Sequence, residues 1–85
     1  PSYFLRLRLE DNRGVLADVA RILAVHQISI EVMNQRGAEE GEDQTDIVML
    51  THLACEKNID AAIQRMEALP VVKGKIIRLR LEELS

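Results

Sequence analysis

The sequence predicts one compact α+β domain in which two helices cover one face of a four-stranded antiparallel sheet. A length of 85 residues with 47% hydrophobic content suits a single domain with one core. In some segments apolar residues take every second position, the period of a strand covered on one face. In two others they recur every three or four residues, as on one side of a helix. These segments follow one another as strand, helix, strand, strand, helix, strand.

The first half of the chain supplies a strand, a helix and a second strand. Apolar residues alternate between Tyr3 and Glu10 and predict the first strand. A helix is predicted from about Gly14 to His26, with an apolar stripe of Val15, Leu16, Val19, Ile22 and Leu23. The segment ISIEV, residues 28–32, then predicts a strand with Ile28, Ile30 and Val32 on one face.

The second half repeats this pattern after an acidic loop at residues 39–43. The segment TDIVMLTHL, residues 45–53, is a nearly continuous apolar run and predicts a central strand with neighbours on both sides. A second helical stripe comprises Ile59, Ala62, Ile63, Met66 and Leu69, and Pro70 ends it. The last strand follows Gly74. This βαββαβ order is that of a ferredoxin-like split unit.

Alternation along the strands predicts what each face of the sheet carries. We expect the face under the helices to hold Leu5, Leu7, Ile28, Ile30, Ile77 and Leu79, packed against Val19, Ile22, Ile63 and Met66. We expect the opposite face to hold Arg6, Arg8, Glu31, Arg78 and Arg80. Such a face is too charged to form a core.

Composition excludes several classes of function. The net charge is −3 and charges of both signs are interleaved, so no broad positive field attracts nucleic acid or a membrane surface. Tyr3 and Phe4 are the sole aromatic residues, too few for base stacking. No apolar run exceeds four residues, which excludes a membrane span. The single Cys55 excludes an internal disulfide and is compatible with a cytoplasmic location. The opening PSYF suggests a domain cut from a longer protein.

The sequence contains no pattern typical of catalysis or of a metal site. His26 and His52 lie at the ends of different elements, and neither has a nucleophile or ligand at a recognisable spacing. His26 is predicted to face the negative end of the first helix dipole. His52 and Cys55 are predicted to lie at the edge of the fold. We therefore expect no catalytic residue and no metal in these 85 residues.

The turn DNRG, before the first helix, has two explanations. Asp11 or Asn12 caps the helix while Gly14 supplies a backbone angle that other residues resist. Alternatively, the N–H groups of Gly14, Val15 and Leu16 receive the carboxylate of a small ligand, and Asp11 accepts a hydrogen bond from its ammonium group. An amino acid carries both charges. These residues alone leave both explanations open.

The segments DNRGVLADVARIL and ISIEVMNQ resemble the ACT domain, a small regulatory module that binds amino acids beside many enzymes of amino-acid metabolism. The segments GEDQTDIVMLTH and ALPVVKGKIIRLR look more narrowly like the C-terminal regulatory domain of bacterial homoserine dehydrogenase. The resemblance extends over almost the whole chain, including the order of strands and helices. Two positions depart from the family pattern: Arg13 stands where proline is common, and Gln27 where many members have glycine.

The resemblance implies that two copies pair through sheet edges and the first helix. Amino-acid sites then lie between the first helix of one copy and the second strand of its partner. The implied ligand-binding residues are Asp11, Asn12, Gly14, Val15, Leu16, Ile28, Ser29 and Ile30, with Ser29 as the polar position of the second strand.

The resemblance also implies a function. The chain would be a non-catalytic regulatory domain that senses threonine for feedback control of threonine and methionine biosynthesis. The catalytic domain of the parent oxidoreductase would lie outside these residues and bind NAD(P), while this domain would hold no cofactor. Two alternatives stay open: a module that only assembles subunits, and a free-standing regulator that responds to an amino acid.

Overall fold

The computed structural model describes residues 1–10, 14–36 and 44–81. Its elements are β1 (Ser2–Glu10), α1 (Val15–Val25), β2 (Ile30–Arg36), β3 (Gln44–Thr51), α2 (Glu56–Glu67) and β4 (Ile77–Leu81). The strands form one sheet in the order β2-β3-β1-β4, and all neighbouring strands are antiparallel. The predicted fold class and element order are confirmed. The strand predicted to be central, β3, has a neighbour on each side.

The core lies between the sheet and the two helices. Every second side chain of β1 is buried, as predicted from Tyr3, Leu5, Leu7 and Leu9. The helices contribute Val15, Val19, Ile22, Leu23, Ile59, Ala62 and Met66. Burying apolar surface at about 25 cal/mol per Å² is the main term that stabilises so small a domain.

The prediction for β4 was wrong about which face each residue occupies. Leu5 points into the core and stands opposite Arg78, so Arg78 lies on the helix side of the sheet. Ile77 and Leu79 therefore point away from the helices and are 50% and 55% exposed. The apolar residue that β4 places in the core is Ile76, one position before the strand begins.

The prediction for β2 was also wrong about one face. The strand begins at Ile30 rather than Ile28, and its pairing with β3 shifts between Ile30 and Val32. This irregularity places Ile30 beside the buried Thr51 but Val32 beside Leu50, on opposite faces of the sheet. Beyond it, Met33 stands opposite the buried Met49 and faces the helix side.

The face away from the helices, called the outer face below, consequently differs from the prediction. Arg6 and Arg8 lie there as expected, while Arg78 and Arg80 do not. Apolar side chains of all four strands share that face with the two arginines. In the described part of the chain, neither helix is long and apolar enough to cross a membrane.

Candidate functional site

The predicted site begins at Gly14, immediately before α1. Gly14 has a φ of +85°, a left-handed conformation that favours glycine, as the sequence predicted. A Cβ placed there would have no heavy atom within 4 Å, so the backbone angle and not crowding accounts for glycine. Its carbonyl accepts the N–H of Asp18 at 3.0 Å and so starts the helix. Asp11, Asn12 and Arg13 lie outside the described residues.

The first turn of α1 follows Gly14 directly. Helix geometry leaves the backbone N–H groups of a first turn without intrahelical acceptors. Together with the positive end of the helix dipole, such groups are suited to binding an anion. Gly14 is exposed, Leu16 is half-buried, and Val15 is buried in the core. Polar groups suited to a carboxylate therefore lie beside apolar surface.

The second part of the predicted site lies where α1 leads into β2. Ile28 is buried, Ile30 is half-buried, and Ser29 between them is exposed. The carbonyl of Ser29 accepts the N–H of His52 at 2.9 Å, which fixes this segment against the end of β3. A fixed backbone with an exposed hydroxyl is suited to binding a polar ligand group.

The end of α1 explains how this segment is positioned. The N–H of Gln27 donates to the carbonyl of Ala24 at 3.0 Å, and that of Ile28 donates to Leu23 at 2.9 Å. These two bonds define a Schellman motif, whose left-handed position is usually glycine. Here Gln27 occupies it with a φ of +62°. The buried Ile28 anchors the turn from which Ser29 emerges.

The two parts of the predicted site lie at opposite ends of the sheet within one copy. β1 and β2 both pair antiparallel with β3 and thus run in the same direction. Ile30 lies level with the start of β1, whereas Gly14 follows the end of β1. Seven residues of strand, or about 23 Å at about 3.3 Å per residue, separate those levels. One copy alone does not bring Gly14 and Ser29 together.

Residues that the structure describes also line three surface depressions away from Gly14 and Ser29. One, of about 470 Å³, is on the outer face between Phe4, Arg6, Asn34 and Asp46. Another, of about 450 Å³, lies between α2 and the start of β4. The third, of about 240 Å³, lies between the helices beside Val25. None of these three is lined by the residues predicted to bind an amino acid.

The histidines and the cysteine lie where the sequence predicted. His26 is the C-terminal cap residue of α1, His52 is exposed after β3, and Cys55 is exposed before α2. Among residues 1–10, 14–36 and 44–81, no three His, Cys, Asp or Glu side chains are grouped to hold a metal.

Two groups of ion-paired side chains were not predicted from the sequence. Asp46 on the outer face accepts hydrogen bonds from Arg6 at 3.0 Å and Arg8 at 3.1 Å. The hydrogen bond from Arg8, followed by that from Arg6, lowers the pKa of Asp46 below its usual value. On the other side of the sheet Arg78 pairs with Asp60 of α2. Alternation in β3 could have placed Asp46 beside the arginines once the register was known.

Comparison with known proteins places this geometry in a family. The sequence model of the ACT domain matches residues 3–71. A homoserine dehydrogenase of Methylobacillus glycogenes is 60% identical over 84 residues, which are 99% of this chain and 20% of that protein. The crystal structure of a homoserine dehydrogenase from Thiobacillus denitrificans superimposes with a TM-score of 0.87 at 50% identity, over 99% of this chain and 18% of that one.

A more distant structure shares the fold. The ACT domain of GTP pyrophosphokinase from Chlorobium tepidum has a TM-score of 0.73 at 10% identity, covering 92% of this chain and 96% of that one. The resemblance found in the sequence is thus confirmed. The chain spans about a fifth of the length of the homoserine dehydrogenases it matches.

Proposed function

Because the chain belongs to the ACT domain family, we propose that it is the amino-acid-sensing regulatory domain of a homoserine dehydrogenase. Its effector is L-threonine, and binding controls flow into threonine and methionine biosynthesis. The parent oxidoreductase uses NAD(P), which binds in a catalytic domain outside these residues. The observation that carries this proposal is the homoserine dehydrogenase similarity over 99% of the chain and a fifth of its relatives.

We propose that the site forms between two copies joined along β2. β2 is an edge strand, and edge strands need a partner or protection. On its helix side Met33 is 42% exposed. A second copy placed along β2 covers this side chain and supplies the missing strand neighbour.

Antiparallel pairing of two β2 strands solves the problem of distance. It reverses the direction of the partner's strand, so the partner's Ser29 moves towards the end of the sheet where Gly14 lies. Each two-fold dimer then has two equivalent sites, and each site combines the turn before α1 of one copy with Ser29, before β2, of the other copy. In this arrangement the N–H groups at Gly14, Val15 and Leu16 receive the ligand carboxylate.

The remaining contacts would select the amino acid. Asp11 and Asn12 accept hydrogen bonds from the ammonium group. The partner's exposed Ser29 hydroxyl faces the threonine hydroxyl, and the half-buried Leu16 and the partner's half-buried Ile30 supply apolar surface for its methyl group. Removing that methyl costs about 0.8 kcal/mol, while leaving a polar group unpaired costs about 1–3 kcal/mol. Threonine should therefore bind more tightly than serine, and much more tightly than valine.

Regulation requires that threonine bind one arrangement of the parent enzyme better than another. Couplings of this kind are typically about 1–3 kcal/mol, or about 5- to 150-fold in affinity. A site shared by two copies can provide this preference because its geometry depends on how the copies are arranged.

The test is titration of the chain with L-threonine, followed by amide NMR and calorimetry. We expect saturable shifts at Gly14 and Ser29, weaker binding of L-serine, and loss of binding in Asp11→Ala. L-valine is the matched ligand control, since it has threonine's shape without the hydroxyl. Absence of any response at about 10 mM threonine, a concentration that detects even millimolar Kd values, would contradict the proposal.

A second candidate function is supported by the exposed apolar side chains of the outer face. In that alternative the domain assembles enzyme subunits and binds no effector. Asp11→Ala separates the two candidates in the parent enzyme. An assembly module keeps its regulation unchanged in that variant, whereas an amino-acid sensor loses it.

A further inference from the structure

The outer face carries a row of four apolar side chains, one from each strand. Phe4 stands opposite Leu50 in β3 and Leu79 in β4, and Leu50 stands opposite Val32 in β2. We call these four residues the apolar row. Val32 is 45% exposed and Leu79 is 55% exposed, while Phe4 and Leu50 are half-buried.

Neighbouring positions extend this surface. In the adjoining row Val48 and Ile77 lie on either side of Arg6, and Leu81 stands opposite Ser2 at the end of the sheet. Ile77 and Leu81 are 50% and 40% exposed. The apolar surface is therefore continuous across the sheet. Monomeric proteins rarely expose contiguous apolar patches larger than a few hundred Å² unless the patch is functional.

The charged end of the outer face is partly neutralised by Asp46. Arg6 and Arg8 both pair with Asp46, whose side chain is 14% exposed. One carboxylate balances one of the two guanidinium groups, so one positive charge remains at this end of the face. The rest of the face is apolar and is matched by another apolar surface with a polar margin, which is what a second copy of the same face provides.

We infer that two β2-joined dimers stack through their outer faces to form a tetramer. This inference rests on the dimer proposed above, because that dimer joins two outer faces into one. The resulting assembly is a sandwich of two eight-stranded sheets, with the outer faces in contact at its centre and the helices facing solvent. Sheets packed in this way lie about 10 Å apart, with their side chains interdigitated.

The size of the outer face favours a second dimer as its partner. Four strands about 4.8 Å apart and about 20 Å of strand between Ser2 and Arg8 give a footprint of about 400 Å². That is about half of the 800 Å² that each partner buries in a stable interface of standard size. Joining two copies along β2 doubles the footprint to about 800 Å². A single domain is too small to hold this contact, whereas the dimer reaches the required area.

Symmetry also favours a second dimer as the partner of the outer face. Val32 adjoins Met33, the middle residue of β2. If two β2 strands pair about their centres, the apolar rows of both copies therefore lie close to the middle of the dimer. A second two-fold axis, perpendicular to the strands and parallel to the sheet, then stacks the apolar row of one dimer on that of the other. It also places the Arg6, Arg8 and Asp46 end of one sheet over the Ser2 and Leu81 end of the other. Arginines of facing copies do not meet.

The experiment is analytical ultracentrifugation of the chain from about 5 to about 500 µM, a range that resolves micromolar association. Leu79→Arg places a charge in the apolar row, and Ile77→Arg places one beside it. The matched control is Leu53→Arg, since Leu53 is 64% exposed and follows β3 outside the paired strands. Circular dichroism and urea unfolding check that each variant is folded.

We expect the wild type and Leu53→Arg to show a reversible dimer–tetramer equilibrium. Leu79→Arg and Ile77→Arg should stay dimeric, with a tetramer dissociation constant raised at least tenfold. A wild type that remains dimeric at every concentration, or folded Leu79→Arg that still forms tetramers, overturns the stacking. A wild type that is monomeric throughout overturns both stacking and the β2 dimer. A wild-type dimer that Leu79→Arg converts to monomer supports face pairing and overturns the β2 dimer.

Discussion

Gln27 is the residue whose backbone conformation conflicts most plainly with its side chain. It holds the left-handed position of the Schellman motif with a φ of +62°, which costs a non-glycine residue roughly 1–2 kcal/mol. We expect Gln27→Gly to stabilise the domain by about 0.5–1 kcal/mol after the added chain entropy of glycine is subtracted. For a domain of this size the melting temperature should rise by about 2–8 °C.

Thermal and urea unfolding test this expectation. The matched control is Gln64→Gly, because Gln64 is an exposed residue within α2 and glycine there should destabilise by about 1 kcal/mol. Equal destabilisation by both substitutions would show that Gln27 is not strained.

Asp46 gives the stability of the domain a dependence on pH. Hydrogen bonds from Arg8 and Arg6 lower its pKa in the folded state. The carboxylate therefore adds stability above the unfolded pKa of about 3.9, and this contribution is lost as the pH falls through the folded value. Because both arginines are largely exposed, we expect Asp46→Asn to cost about 1 kcal/mol or less at pH 7.

Urea unfolding at a series of pH values measures this difference. The difference in the free energy of unfolding between wild type and Asp46→Asn should become smaller as the pH falls below about 4. When Arg6 and Arg8 are both replaced by Gln, this difference should be small at every pH. A difference that grows on acidification would contradict the lowered pKa of Asp46.

At the scale of single residues the sequence was informative where local chemistry decides the outcome. The left-handed conformation of Gly14 was predictable because few other residues adopt it. The Schellman motif was hidden because Gln27 stands where glycine would have signalled it. The partners of Arg6 and Arg8 were hidden because Asp46 is about 40 positions away along the chain.

At the scale of elements, β4 can be tested by comparing two adjacent isoleucines. Ile76 is 8% exposed and packs in the core, whereas Ile77 is 50% exposed on the outer face. We expect Ile76→Ala to lower the free energy of unfolding by about 2–4 kcal/mol. Ile77→Ala should cost less than about 1 kcal/mol. Chemical denaturation measures both, and the reverse order of cost would contradict the register of β4.

The reason for the wrong prediction is physical. Alternation shows that a segment is a strand, yet it does not tell which set of residues faces the core when both faces are partly exposed. In β4 the set at Arg78 and Arg80 lies on the helix side, where Arg78 pairs with Asp60. The pairing of β4 with β1 decides which residues of β4 face the helices, and this pairing cannot be read from the sequence of β4 alone.

β2 shows a second limit of the same kind. Its alternation of Ile28, Ile30 and Val32 suggested one continuous face, but the shifted pairing after Ile30 turns Val32 to the other side. Irregularities of this type exchange the two faces of a strand. The strands that bury one full face, above all β1, were predicted correctly because burial itself enforces their alternation.

At the scale of the whole molecule, the proposed function depends on a second copy. Residues on both sides of α1 were predicted to bind one ligand, yet within one chain Gly14 and Ser29 belong to opposite ends of the sheet. No pattern within a single chain shows how two chains meet. The resemblance to ACT domains supplied this part of the prediction.

The most direct test of the shared site is complementation between two defective variants. Asp11→Ala removes the proposed ammonium contact of the turn, and Ser29→Phe fills the partner's half of the pocket. Each homodimer should fail to bind threonine. In a mixed dimer one site carries both defects while the other has an intact turn and an intact Ser29. Unfolding and reassembling an equal mixture makes about half of the dimers mixed, with one of their two sites intact.

Calorimetry with L-threonine counts these sites. We expect the mixture to recover about a quarter of the wild-type binding sites, with wild-type affinity, while either variant alone shows none. If wild-type protein binds threonine but the mixture recovers no sites, the turn and Ser29 do not form a site between two copies.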